Sequence, residues 1–290
     1  MPCSYCGGPT TILRSHVVPK FVIRYCRANS VGGALLYSWE REFHHEQITG
    51  PYLCSNCDNV VFSQWENHFS RDVFADPMTA THQWGNLSTL RFLASLVFRC
   101  ALHNLRVAPT AVNQTQNELF RDRAKAAAAD PAQFGNQLFV YPFVFRPITR
   151  TYVLMPGVNS FLTTGFHSRV HHAEGTLPNC MMVRLPRILL LYSEADLTRS
   201  GDPDFARYTD LRPGVVFNPS ASNTGMPEAF APFINQGINE TIGHQRSYGW
   251  WQRWINRADQ RLFPARMVYQ ARTWDAQHRD WQHANAPSQP

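Results

Sequence analysis

Charged residues make up only 17% of this 290-residue chain, and lysine is almost missing: of 27 basic side chains, Lys20 and Lys125 are lysine and the other 25 are arginine. Arginine forks onto phosphate and carboxylate better than lysine, which suits a nucleic-acid partner, although a GC-rich coding sequence leaves the same bias and is the plainer account. Long apolar runs are also absent. The stretch 188–192 is among the longest, far below the roughly 20 residues of a membrane-spanning helix, so no membrane partner is expected. No basic segment followed by an apolar one opens the chain. Cys3 and Cys6 come at once, and the expected compartment is a reducing cytoplasm, where seven cysteines serve metal before disulfides. There is no internal repeat and no long Gly/Ser linker. No P-loop, no GxGxxG after a strand and no Gly-x-Ser-x-Gly occurs, which disfavours nucleotide hydrolysis and α/β-hydrolase chemistry. At 44% hydrophobic and 13% aromatic residues, the composition excludes a disordered or collagen-like chain.

What is present divides by pattern. Residues 1–75 hold two Cys-x-x-Cys pairs around an insertion rich in aromatics and His, and end in a helical stretch from Ser63. They carry six cations and six acids, so the excess charge of +6 lies in the rest of the chain. Apolar positions Leu87, Leu90, Leu93, Ala94, Val97, Ala101 and Leu105 recur at three and four, predicting an amphipathic core helix with Asn86 or Ser88 as its cap. Residues 115–129 predict a second, more exposed helix ended by Asp130-Pro131. The stretches 137–145, 151–155 and 181–192 predict strands of a mostly antiparallel sheet. Residues 196–227 read as irregular surface connection, and helical character returns over 227–263. The fold class is therefore α+β, with a small metal module over 1–75 and a mixed helix and antiparallel-sheet domain over 76–290, whose role is substrate positioning, sensing of a signal ligand or binding of a partner protein.

Cys3-x2-Cys6 and Cys54-x2-Cys57 are the most specific motif. Each pair supplies two thiolates from a tight knuckle, and two knuckles complete a tetrahedral structural zinc site. Such a site explains how a small segment with little core holds its shape. Cys26, Cys100 and Cys180 stand among apolar neighbours and read as inert core residues.

Between the knuckles runs Leu13-Arg14-Ser15-His16-Val17-Val18-Pro19-Lys20. The order of Cys-x2-Cys, this Ser-His-Val-Val-Pro segment and Cys54-x2-Cys57-Asp58-Asn59 leading into a helix resembles the zinc-stabilised HNH, or ββα-metal, endonucleases. More closely it resembles a bacterial group with SHIIP-type and CxxC-acid…E segments associated with antiphage defence. Phe21, Asp58, Ser63 and Glu66 also fit that pattern, and the resemblance covers roughly the first quarter of the chain. It implies a treble-clef zinc module and metal-dependent cleavage of DNA, with RNA the second choice. His16 would be the general base, and Asp58, Asn59, Glu66 or His68 would supply ligands to a Mg²⁺ or Mn²⁺ ion.

Two departures from the HNH pattern stand out. Ser15 precedes the histidine where an aspartate ligand is common, and no middle Asn can be placed in the insertion, where His44 and His45 are available instead. Each site residue also has a structural reading. His16 can fix its strand by bonding backbone, Ser63 and Glu66 have capping-box spacing, Asp58 can complement a helix terminus, and His68 can be a surface histidine. The alternative function is a non-catalytic zinc-stabilised module that binds nucleic acid or protein. Weaker constellations are His167, His171 and His172, read as a solvent-facing loop; Glu240 with His244; and Trp250, Trp251 and Trp254 interleaved with Arg246, Arg253, Arg257 and Arg261, a face able to stack bases or simply an ordinary helix.

Overall fold

The computed structural model describes residues 1–29, 35–36, 43–44, 48–107, 111–145, 166–171, 178–201 and 205–219. Within them the chain is a mixed α+β fold with antiparallel pairing throughout its named strands.

The N-terminal part is built from short pieces. Strand β1 (Ser15–His16) pairs with β4 (Thr49–Gly50), and α1 (Lys20–Asn29) follows β1 after Pro19. A second two-residue pair, β2 (Leu35–Leu36) and β3 (Phe43–His44), lies in the insertion. Ladders this short need side-chain help, and Ser15 provides it. Its buried hydroxyl donates to the Gly50 carbonyl and accepts from the Tyr52 and Leu53 amides at 3.1 and 3.2 Å. Gly50 is obligatory for a related reason, since any Cβ there would run into the Tyr52 ring.

Within the second cysteine pair the chain becomes helical at residue 55, earlier than the Ser63 start expected from sequence. Helix α2 (Phe62–Phe69) is the α-helical centre of a continuous rod whose flanking turns, Cys57–Val61 and Ser70–Phe74, are π-helical. The widened turn puts Asp58 on the side facing β1, consistent with the tendency of π-turns to occur where a side chain must be re-aimed.

Helix α3 (Leu87–Val107) is the spine of the molecule. Its apolar positions recur as expected, but it is buried on almost every side because three layers contact it, so Thr89, Ser95, Arg99, His103 and Asn104 are buried as well. Asn86 caps it: the Asn86 side chain accepts from the Ser88 amide at 2.8 Å and its carbonyl takes the first helical bond from Leu90. Helix α4 (Ala111–Ala129) starts four residues earlier than expected and packs on α3 through Asn117, Phe120, Ala124 and Ala127. Asp130, in extended conformation, ends it and caps the short 3₁₀ turn that follows.

The sheet has the order β5-β8-β7-β6, with β5 (Phe139–Val144), β6 (His167–His171), β7 (Cys180–Leu185) and β8 (Ile188–Ser193). The predicted stretch 181–192 is in fact a hairpin, turned at Pro186-Arg187, where Arg187 takes a positive φ of 66°. Alternation splits the sheet cleanly. Met181, Val183, Leu185, Ile188, Leu190 and Tyr192 face the main core, while Met182, Leu189, Leu191, Tyr141 and Phe143 face a second cluster closed by Leu197, Phe205 and Tyr208.

Two expectations need correction. His167 and His171 lie on strand β6, paired with β7, rather than in a loop, because the alternation His-Ser-Arg-Val-His buries Ser168 and half-buries Val170. Residues 205–219 are irregular but not superficial: Phe205, Tyr208, Leu211 and Phe217 are buried. This strap shields the edge of β5, where Asp210 accepts from the Val140 amide and the Leu211 amide donates to the Val140 carbonyl. Pro142 sits on the same edge strand, the one place in a sheet that tolerates it.

The main core runs without interruption from Cys3 to Phe217. The boundary drawn at residue 75 marks a change of chemistry, with the paired cysteines before it, within a shared apolar interior. Phe69 of α2 stacks on Phe92 of α3 at 4.2 Å, and Tyr5 makes edge contacts with Phe62 and Phe98. Among the described residues no helix is long and apolar enough to cross a membrane. The predicted strand 151–155 and helix 227–263, together with His172, Glu240, His244 and the Trp/Arg face, lie outside the described residues, as do His45 and the side chain of His44.

Candidate metal centre and histidine site

Four sulfurs converge at the N-terminus. A tight turn, closed by Gly7 N–H to the Cys3 carbonyl at 2.9 Å and using the positive φ of Gly7, carries Cys3 and Cys6. The segment preceding α2 carries Cys54 and Cys57. The four ligand atoms all lie within 4.8 Å of one another, and Cys6 and Cys54 approach to 3.7 Å. A tetrahedral zinc with bonds of about 2.3 Å separates its sulfurs by about 3.8 Å, so the spacing fits. Backbone amides point at the sulfurs, from Gly8 to Cys6 at 3.4 Å and from Cys54 to Cys3 at 3.3 Å, as suits sulfurs that carry negative charge. The cluster polarises its own thiols. Burial pushes the Cys3 thiol up, but hydrogen bonds from Cys6, Cys54 and Tyr5 outweigh it and bring it down to about 7. Burial and then the neighbouring thiols push Cys57 up. A cation would take all four to thiolates. This group could hold a metal ion, and among the described residues it is the only cluster of three or more His, Cys, Asp or Glu side chains that could.

Next to this centre, Asp58 meets His16. The Asp58 carboxylate is buried and takes two bonds from one residue: the His16 amide at 3.1 Å and the His16 Nδ1 at 3.0 Å. An ionised carboxylate only accepts, so Nδ1 carries the proton, and in the neutral form of the ring the Nε2 lone pair is the acceptor. The imidazole is 17% exposed, which makes Nε2 the part of the pair that can reach a ligand. Sequence placed Asp58 among metal ligands or helix-terminus charges. Its position in the structure is that of the histidine's orienting partner.

The remaining candidates point elsewhere. Glu66 does not close a capping box, because Ser63 lies inside the helical rod rather than at its start. Glu66 instead accepts from Arg99 at 2.6 Å. His68 pairs through Nδ1 with Asp72 one turn along, at 2.9 Å. Asn59 donates to Ser55 on the exposed side. Ser15 is turned away from the imidazole into its clamp, so the aspartate missing from that position has no structural counterpart there. Asp58, Glu66 and His68 thus do not assemble with His16 into one ligand set, and Mg²⁺ or Mn²⁺ has no such shared site among the described residues.

Sequence reasoning missed Arg99. Its only signal was a cation in the middle of the apolar stretch 92–102, which periodicity alone assigns to the core. Cys26, Cys100 and Cys180 are buried, as expected, and burial pushes Cys100 and Cys180 up to about 12.

Comparison with protein-family models, with curated proteins and with solved structures gave no match.

Proposed function

We propose that this protein is a zinc-stabilised nuclease of the HNH type, with a treble-clef N-terminal module, that hydrolyses phosphodiester bonds of DNA in preference to RNA. The observation that carries the proposal is the His16–Asp58 pair seated beside four converging cysteines. In this reading Asp58 holds the Nδ1 proton, and Nε2 removes a proton from the water that attacks phosphorus while the bond from phosphorus to the leaving sugar oxygen breaks, that oxygen taking a proton from bulk water. The proton of the attacking water ends on His16 as imidazolium, which the Asp58 carboxylate stabilises. Cys3, Cys6, Cys54 and Cys57 would hold a structural zinc that fixes the turn ahead of β1 against the helix bearing Asp58. The divalent ion of the resemblance fits poorly on Asp58, Glu66 and His68, since each is engaged by another side chain. The likeness to defence-associated proteins extends the proposal to antiphage function in the cytoplasm, with the region after residue 75 positioning substrate or receiving a signal.

The poor fit of that ion favours a second reading, a zinc-stabilised module that binds nucleic acid or protein without cutting it. Plasmid nicking with Mg²⁺, Mn²⁺ or Ni²⁺, run beside His16→Ala at matched zinc content, separates the two. The nuclease reading expects nicking that falls at least about 10²-fold in the variant. Plasmid binding with no cleavage under any of these ions would support the second reading.

A further inference from the structure

Arg99 is 1% exposed, in the middle of α3, and belongs to no site that sequence reasoning assigned. A buried guanidinium is costly unless its donors are matched, so its partners report what holds it; Nε and Nη1 are matched, whereas Nη2 has no hydrogen-bond partner among the described residues. Nε donates to the Ser95 carbonyl one turn back at 3.2 Å. Nη1 donates to Glu66 Oε1 at 2.6 Å and to the His16 carbonyl at 3.3 Å, and the cation lies 5.5 Å from the centre of the Phe62 ring. Three elements therefore meet on one side chain: α3, α2 and the strand that carries His16.

We infer that Arg99 is a positioning residue for His16, and that Glu66 is its counter-ion rather than a metal ligand. The chemical meaning of this inference rests on the general-base reading of His16. His16 is gripped at both ends of its main chain, its amide by Asp58 and its carbonyl by Arg99. Strand β1 has only two residues and cannot fix that peptide by itself. With the backbone fixed on both sides, the Cα–Cβ direction is set, and the ring meets Asp58 through Nδ1 rather than turning Nε2 toward it. Lysine cannot replace this arrangement, because a point charge on a flexible stem lacks the fork that serves Ser95, Glu66 and the His16 carbonyl together.

The test reads the ring itself, independently of cleavage. Full-length zinc-loaded protein with ¹⁵N-labelled histidine is compared with Arg99→Lys by long-range ¹H–¹⁵N correlation, with zinc content, melting temperature and plasmid nicking measured on the same samples. The wild type is expected to show His16 protonated on Nδ1. Arg99→Lys should keep its zinc and lose that signature, His16 moving toward the Nε2-protonated form. A wild type without the Nδ1–H signature, or a folded Arg99→Lys that keeps it, would overturn the inference. If Arg99→Lys does not fold, the double variant Arg99→Met/Glu66→Met removes both buried charges while keeping the volume, an exchange that folds tolerate. It is expected to lose the signature with its zinc retained, and keeping the signature would again overturn the inference. A wild type that never nicks, yet shows the signature and its loss in Arg99→Lys, leaves the positioning role standing and removes only the nuclease reading.

Discussion

The two halves of the main core are held by different physics. Around β5, β7 and β8, strands of six residues are buried on both faces, and aliphatic and aromatic packing against α3 and the second cluster dominates the geometry. Around β1, β4 and α2, strands are two residues long, and position is fixed by convergent thiols, by the Ser15 clamp, and by Asp58 and Arg99 holding His16 from opposite sides. Packing tolerates small adjustments distributed over many contacts. A network of directed hydrogen bonds sets a few atoms and fails locally when one donor is lost. The half that carries the proposed chemistry is the one built the second way, as expected where one ring nitrogen must be aimed.

This contrast can be broken most severely at the cysteines. Structural zinc sites in small modules contribute on the order of 10–16 kcal/mol of apparent binding energy, which is folding energy where no apolar core replaces it. Cys54→Ser should therefore lose its metal by elemental analysis and lower the melting temperature of the whole chain, since the core is shared. Metal loss with unchanged melting would show that the directed network does not depend on the thiols.

The packing half responds more evenly. Phe92→Ala removes the partner of the Phe69 stack and should cost about 3–5 kcal/mol in urea unfolding. One transition should remain, seen identically by tryptophan fluorescence and by far-ultraviolet circular dichroism. Two separated transitions would mean that the halves fold independently.

Between the halves sits His103, whose Nδ1 shares a hydrogen bond with the buried Tyr52 hydroxyl at 3.1 Å. Burial, reinforced by the Arg106 charge, pushes His103 down to about 4 from 6.5. Between those values the unfolded chain binds the proton and the native chain does not, so native stability falls as pH drops through the window, by up to about 3 kcal/mol. Asp210, which burial raises to about 6, acts with the opposite sign from 3.8 to 6. The clean readout is therefore the difference from His103→Gln, measured by urea unfolding from pH 7 to 4. The wild type should lose its advantage over the variant progressively, and parallel curves would refute the buried neutral histidine.

The smallest expected effect is at Ser15. Ser15→Ala leaves the Tyr52 and Leu53 amides short of an acceptor and should cost about 1–3 kcal/mol with zinc retained. Ser15→Asp, which places there the residue common in HNH enzymes, should not raise nicking, because the side chain at this position points at the Gly50 carbonyl and the Tyr52 and Leu53 amides.

How legible all this was in the sequence follows the same contrast. Periodicity found α3 and left its cap between Asn86 and Ser88, Asp130-Pro131 marked the end of α4, and β-rich composition found β5 and the β7–β8 region, because packing leaves a repeating signature. The cysteine spacing gave the metal-competent cluster for the same kind of reason, since tetrahedral geometry imposes a short local motif. What was not legible depends on contacts between distant residues. The helix start at residue 55 was hidden because the Ser63/Glu66 spacing mimics a capping box. The burial of 205–219 was hidden because prolines and glycines there mask well-spaced aromatics. Nothing local connects Arg99 with His16 across 83 positions. The roles of Asp58, Glu66 and Ser15 likewise depend on which side chain each one faces, and spacing does not encode that.

In the proposed nuclease, Asp58 makes His16 a base by holding its Nδ1 proton. Asp58→Asn keeps an oxygen for the His16 amide but can present an N–H to the ring, favouring the wrong tautomer. A comparable substitution behind a catalytic histidine costs about 10⁴ in rate. The single-turnover plasmid-nicking rate of Asp58→Asn, at zinc content and melting temperature matched to the wild type, is predicted to fall by about 10²–10⁴-fold. An unchanged rate would contradict the claim.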